Sequence, residues 1–137
     1  MNDIESPTYG AIQTNSEVMA NGETRYRMKA CDGSGYIRTR YPDEQGSWQN
    51  SHFHQTTFET YIVQSGSILY AELKNGKALV KEVSENEVIT VKPGVPHNVF
   101  VCPETDLHTV KHGQSQPDDW HACPELDVLL ASRASNC

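Results

Sequence analysis

Apolar and polar residues alternate through most of this chain, and turn residues interrupt the alternation roughly every ten positions. TRYRMKA (24–30) gives way to Asp-Gly-Ser-Gly, and YIRTRY (36–41) to Pro-Asp-Glu-Gln-Gly. SWQNSHFH (47–54) and FETYIVQ (58–64) lead to Ser65-Gly66-Ser67. ILYAEL (68–73) and KALVKEV (77–83) are joined through Lys74-Asn75-Gly76. EVITV (87–91) runs to Lys92-Pro93-Gly94, PHNVFVC (96–102) to Pro-Glu-Thr-Asp, and LHTVKHG (107–113) closes the series. A period of two with such punctuation predicts about nine short strands in an all-β sandwich or barrel. Asn75-Gly76 is the clearest hairpin signal, because a type I′ turn needs positive φ at both central residues.

The two ends differ. Residues 1–20 are polar with weak periodicity and read as an arm, with at most one short strand that pairs late. Residues 21–114 carry the barrel pattern, and residues 115–137 form a C-terminal turn and helix. Pro117-Asp118-Asp119-Trp120 reads as a turn. Pro124-Glu125 suits a helix start, and the helix ends near Arg133. Leu126, Leu129 and Leu130 share its apolar face, which is expected to cover the chain's own barrel rather than a dimer contact.

Composition narrows the function. The 137 residues suit one domain with its own core. A net charge of −7 disfavours binding to phosphate backbones, so no nucleic-acid partner is expected. No apolar run is long enough to cross a membrane. The first residues carry neither a basic nor an apolar leader pattern, which leaves the cytoplasm as the expected compartment. Cys31, Cys102, Cys123 and Cys137 lack C-x-x-C spacing and are read as free thiols, with Cys137 mobile.

The stretch SHFHQTTFETY (51–61) carries the candidate chemistry. His52 and His54 point to one side of a strand. Glu59 joins them if the hairpin through Gln55-Thr56-Thr57 folds back, and His97, after the Pro93–Pro96 turn, is a fourth candidate. Imidazoles with one carboxylate suit one divalent transition metal, Fe, Mn, Ni, Zn, Co or Cu, rather than Ca or Mg. The alternative is a set of polar side chains on a wet sheet face.

The spacing resembles that of the cupins. Gly46, five residues, His52-Phe53-His54, four residues, Glu59, six residues and Gly66 match the first cupin motif at every fixed position. The second motif is matched at Gly94 and His97. Asn86 stands where a glycine is usual, Lys92 where a proline is usual, and Val101 where an asparagine is usual. The resemblance spans residues 36–112. It implies a double-stranded β-helix, the jelly-roll cupin barrel, here with a short C-terminal helix. It also implies His52, His54, Glu59 and His97 as metal ligands, and pairing as a homodimer.

Fold does not settle function. The first expectation is an enzyme using the metal as a Lewis acid on a small oxygenated substrate (sugar-, keto acid- or polyketide-like) in isomerase, epimerase, cyclase or lyase chemistry. An iron-dependent dioxygenase with the same ligands is the second, and a non-catalytic small-molecule-binding module the third. Tyr61 and His112 are candidates for moving protons. Trp48, Asn50 and Lys111 are candidates for touching substrate. Which face of residues 107–112 lines the barrel is open. Arg25, Arg27 and Lys29 alternate on one face, as do Arg38 and Arg40. That could mark a carboxylate or phosphate site near the mouth, but a solvated face is the favoured reading.

Overall fold

The computed structural model describes residues 12–40, 46–133 and 135–137. Twelve strands and one helix follow in order: β1 (Ile12–Val18), β2 (Thr24–Ala30), β3 (Gly35–Arg40), β4 (Ser47–Trp48), β5 (His52–Phe53), β6 (Thr57–Ser65), β7 (Ser67–Lys74), β8 (Lys77–Ser84), β9 (Val88–Val91), β10 (His97–Val101), β11 (Asp106–Gly113), β12 (His121–Ala122) and α1 (Pro124–Ala131). One sheet runs β1-β2-β3-β11-β6-β9, the other β12-β5-β10-β7-β8, with β4 also on β10. Every pairing is antiparallel. The two sheets face each other as a jelly-roll barrel, the architecture the strand pattern predicts.

The pleat decides what lies between the sheets. In β6, Thr57, Glu59, Tyr61 and Val63 are buried, while Phe58, Thr60 and Ile62 are only half-buried on the other face. In β11 the inward residues are Leu107, Thr109 and Lys111, which resolves the open question of its orientation. Val63, Ile68, Val99, Val101 and Leu107 fill the closed part of the barrel, with Tyr61 and Tyr70 toward its polar part. The β7–β8 hairpin turns at Asn75 and Gly76, with φ of +54° and +75°. The arm supplies β1, which pairs only with β2 at the sheet edge; residues 1–11 lie outside the described residues.

The helix packs on the outer face of the second sheet rather than over a barrel end. Leu126 and Leu130 are buried against Ala71 and Cys123, flanked by Phe53, Leu73, Ala78 and Val80. Each buried leucine contributes roughly 1.5–3 kcal/mol. Pro124, Glu125 and Asp127 open the helix as its dipole favours. The Asp127 carboxylate accepts the Ser51 N–H at 2.9 Å, so the helix start is pinned to the residue before β5.

Two expectations are corrected. Cys102 and Cys137 form a disulfide, Cα–Cα 5.7 Å, which ties the chain's last residue to the end of β10. Cys31 and Cys123 are free. The bonded pair is 35 residues apart, so no local spacing announces it. The second correction concerns Trp48. It packs with the cluster under α1 and edge-on to Phe100, and its indole N–H donates to Ser135 Oγ at 3.0 Å. Parity failed there because β4 and β5 are separate two-residue strands with a break between them.

The two glycines of the first motif have steric reasons. A Cβ on Gly46 (φ +66°) would lie 2.7 Å from Val101 O, and one on Gly66 (φ +79°) 2.4 Å from Thr105 Oγ1. Gly66→Ala is therefore expected to cost about 1–3 kcal/mol, through strain and displacement of Thr105. A thermal melt checks it, and an unchanged midpoint would refute it.

Candidate metal centre

β5 and β10 lie side by side, with His52 directly opposite His97. His54 follows β5, and its carbonyl accepts the Gly94 N–H at 2.7 Å, so the turn before His97 is tied to it. β6 then carries Glu59 inward from the facing sheet. Candidate ligand atoms of His52, His54, Glu59 and His97 all lie within 4.8 Å of one another, and all four residues are buried. His97 is 0% exposed and His52 8%.

Hydrogen bonds decide which ring atoms are available. His52 Nδ1 faces the Asn50 carbonyl at 2.9 Å, His97 Nδ1 the Val95 carbonyl at 2.9 Å, and His54 Nδ1 the Asp119 carbonyl. A carbonyl oxygen only accepts, so each Nδ1 must carry the proton and donate. In the neutral rings every Nε2 is then a bare lone pair. All three point at one carboxylate oxygen, Glu59 Oε2, at 3.3, 2.5 and 3.1 Å. Three acceptors facing a fourth cannot satisfy one another. The set needs a cation, either protons on the rings or a metal ion. Nitrogen donors with one carboxylate fit a divalent transition metal.

The ionisation equilibria point the same way. Burial would raise the Glu59 carboxyl, but the three imidazoles outweigh it and hold the group well below the usual carboxylate range. Burial pushes His52 down despite Glu59. Burial also disfavours the charged form of His54, but its bonds to Glu59 and the Asp119 carbonyl win and raise it. Tyr61 donates its O–H to Glu59 Oε1 at 3.0 Å. Burial and that neighbouring carboxylate push its phenol well above the ordinary value, so it remains a donor that orients Glu59.

The segment after β11 straps this centre. The Asp119 carboxylate accepts the N–H groups of Gln55, Thr56 and Thr57 at 2.7, 3.0 and 3.0 Å, and both threonine hydroxyls. Burial would raise its pKa, but these donors overcome that and hold it far below the usual range. Trp120 stacks on His52, ring centroids 5.3 Å apart at 21°. Asp119 therefore fixes the hairpin that delivers Glu59, and its carbonyl sets the His54 tautomer.

A cavity of about 310 Å³ opens beside the centre, with His52 and Glu59 in its wall. Asn50 and Lys111, the candidates for touching substrate, line it, as do Tyr61, the candidate for moving a proton, and Trp120. His112 is corrected: it points outward, stacks on Phe58 and bonds Thr60 Oγ1 at 2.7 Å, so it cannot move a proton inside the barrel. Trp48 is outside the cavity as well. Arg25 and Arg27, read from sequence as a solvated face, line the cavity instead. Arg38 does lie on the other face, bonding Asp106 at 2.6 Å. Their alternation was visible, but not which parity faces inward. For Asp119, more than sixty residues from the hairpin it holds, no sequence signal was available.

No family model matches the sequence, and no curated protein matches it either. Solved structures do. Oxalate decarboxylase from Bacillus subtilis superposes with a TM-score of 0.62 at 13% identity, over 95% of this chain and 35% of that one. Pac13, described as a unique nucleoside dehydratase, gives 0.60 at 15%, over 80% and 84%. The capsular polysaccharide assembling protein CapF from Staphylococcus aureus gives 0.58 at 19%, over 80% and 32%. This chain spans about a third of the length of CapF and of oxalate decarboxylase. At these identities the likeness establishes the fold, which is the cupin barrel.

Asp119→Ala is expected to weaken metal binding about 10–100-fold by freeing the hairpin and the His54 ring, as a chelator competition would measure. Unchanged affinity would remove Asp119 from the centre. A metal must also displace the proton that the raised pKa of His54 retains. Metal binding should therefore release protons, and weaken as the pH falls through the raised range in which His54 becomes protonated. Calorimetry in two buffers of different ionisation heat reads this directly, and identical heats would contradict it.

Proposed function

We propose that this chain, which has the cupin fold, is a metal-dependent enzyme holding one divalent transition metal on His52, His54, Glu59 and His97. One observation carries the reading: three Nε2 lone pairs, fixed by backbone acceptors, converge with Glu59 Oε2 and leave no donor among themselves. A bound metal would supply Lewis-acid polarisation of a carbonyl or hydroxyl oxygen. The chain's own residues would supply the surroundings. Tyr61 keeps Glu59 oriented through Oε1, and Asp119 locks the 55–57 turn. Trp120 covers His52 from the mouth. Asn50 and Lys111 stand in the cavity wall where a small oxygenated substrate would sit. Isomerase, epimerase, cyclase or lyase chemistry fits this arrangement. That Pac13 is a dehydratase and oxalate decarboxylase a decarboxylase supports such a reading for a barrel of this kind.

The same donor set accommodates iron, which supports a dioxygenase as the second reading. Elemental analysis of native protein and of His52→Ala separates the possibilities. Native protein is expected to carry about one metal equivalent, and the variant roughly a tenth as much or less. Iron with oxygen uptake would favour the dioxygenase. Another metal with oxygen-independent turnover would favour the Lewis-acid enzyme. Protein that takes up no stoichiometric metal under any reconstitution would sink both.

A further inference from the structure

The inward face of the first sheet is a ladder of cross-strand rows leading away from the metal centre. One row reads Glu59 on β6, Lys111 on β11, Gly35 on β3 and Lys29 on β2. The next reads Tyr61, Thr109, Ile37 and Arg27. The third reads Val63, Leu107, Thr39 and Arg25. Neighbouring strands are about 5 Å apart, so Lys111 stands one strand from Glu59, while Arg27 and Arg25 stand three strands away and one and two rows further along. Gly35, which presents no side chain, follows Lys111 in its row. The cavity lies over these rows, and Lys111, Arg25, Arg27, Thr39 and Thr109 line it.

The charge in that cavity is opposite in sign to that of the whole chain. Three cationic side chains line it against one carboxylate, Glu59, in a protein of net charge −7. Glu59 is already committed to the three imidazoles. Arg27 pairs with Glu17 on the exposed edge strand. Arg25 donates Nη2 to the buried Glu23 at 3.2 Å, yet its Nε is buried with no hydrogen-bond partner among the described residues. Lys111 is half-buried and has no carboxylate partner among the described residues. Half-buried cations with unused donors are costly to retain without an anion.

We propose that these side chains form an oxyanion subsite, so that the ligand is a small anion with a carboxylate or phosphate group on Lys111, Arg25 and Arg27 while its oxygenated end lies toward His52 and Glu59. This deepens the reading of the site as a metal-dependent enzyme and rests on it for the orientation of the ligand. Lys111 would meet that group on the side nearest the metal centre, and the two arginines on its far side. Guanidinium forks suit either oxyanion. The hydroxyls of Thr39 and Thr109 would add neutral donors between them.

The test titrates inorganic phosphate and malonate into the native protein, Lys111→Met, Arg27→Gln and, as an exposed control on β8 outside this cavity, Lys81→Met by calorimetry. Metal content and thermal melts are recorded for each. The expected result is saturable binding of at least one anion, about tenfold or more weaker in Lys111→Met and Arg27→Gln and unchanged in Lys81→Met. Preference for phosphate would assign a phosphate ester, and preference for malonate a carboxylate. If neither anion binds native protein, or the two cavity variants bind as native does, the subsite is refuted. Arg27→Gln guards against misfolding of the lysine variant, since Arg27 lies toward the exposed edge. Native protein that binds an anion but never takes up metal would refute the metal reading alone, and native protein that takes up metal but binds neither anion would refute only the subsite.

Discussion

A buried carboxylate faced by the Nε2 lone pairs of three neutral imidazoles is the constraint the rest of this molecule answers to. Glu59 is 3% exposed, and an ionised group at such a position costs several kcal/mol unless it is paired. The fold supplies half of the solution. Asn50, Val95 and Asp119 give one backbone carbonyl each, which turns all three rings the same way, and Tyr61 satisfies the second carboxylate oxygen. The other half is a positive charge at the focus. In the protein alone a proton held by His54 can provide it, and a metal ion would provide it at the same place.

Those three carbonyls explain why the ligand-bearing part of the barrel is its least regular part. Regular strands use their carbonyls in the ladder. Asn50 and Val95 lie in short breaks before β5 and β10, and Asp119 in the strap after β11. Each break leaves a carbonyl free to turn toward an imidazole. The irregularity is then stabilised from outside. Asp119 satisfies the 55–57 turn, Asp127 caps Ser51, and the Cys123 N–H donates to the Ser51 carbonyl at 2.9 Å. The C-terminal segment thus braces the centre from two sides.

The sequence made the barrel and four converging ligands legible because both follow from local spacing. Alternation identifies strands, and motif glycines mark places where a Cβ has no room. Even the departures from the cupin pattern make physical sense. Asn86 adopts φ +66°, which asparagine tolerates better than most residues, and Val101 is fully buried in the apolar core. Parity failed wherever it had to be carried across a break. Unbroken alternation from His52 would put Trp48 on the histidine side, but the interruption between β4 and β5 resets the count. His112 and Lys111 could not be separated until β11 had neighbours. Asp119 and the Cys102–Cys137 bond join distant residues, and no period reports such contacts.

The same register that brings Glu59 into the barrel sets which cations accompany it. A slip of one residue between β6 and β11 would turn Lys111 out and His112 in, exchanging the lysine for an imidazole. The slip is resisted by apolar packing, because Leu107 shares the Lys111 face and is 1% exposed in the core. Burial of Leu107 therefore holds Lys111 opposite Glu59, and Val63 in the facing row secures the inward face of β6 in the same way. Chemistry at the open end of the barrel is positioned by hydrophobic contacts at the closed end. An acidic outer surface can then surround a cationic interior without the two sets of charges having to be adjacent in sequence.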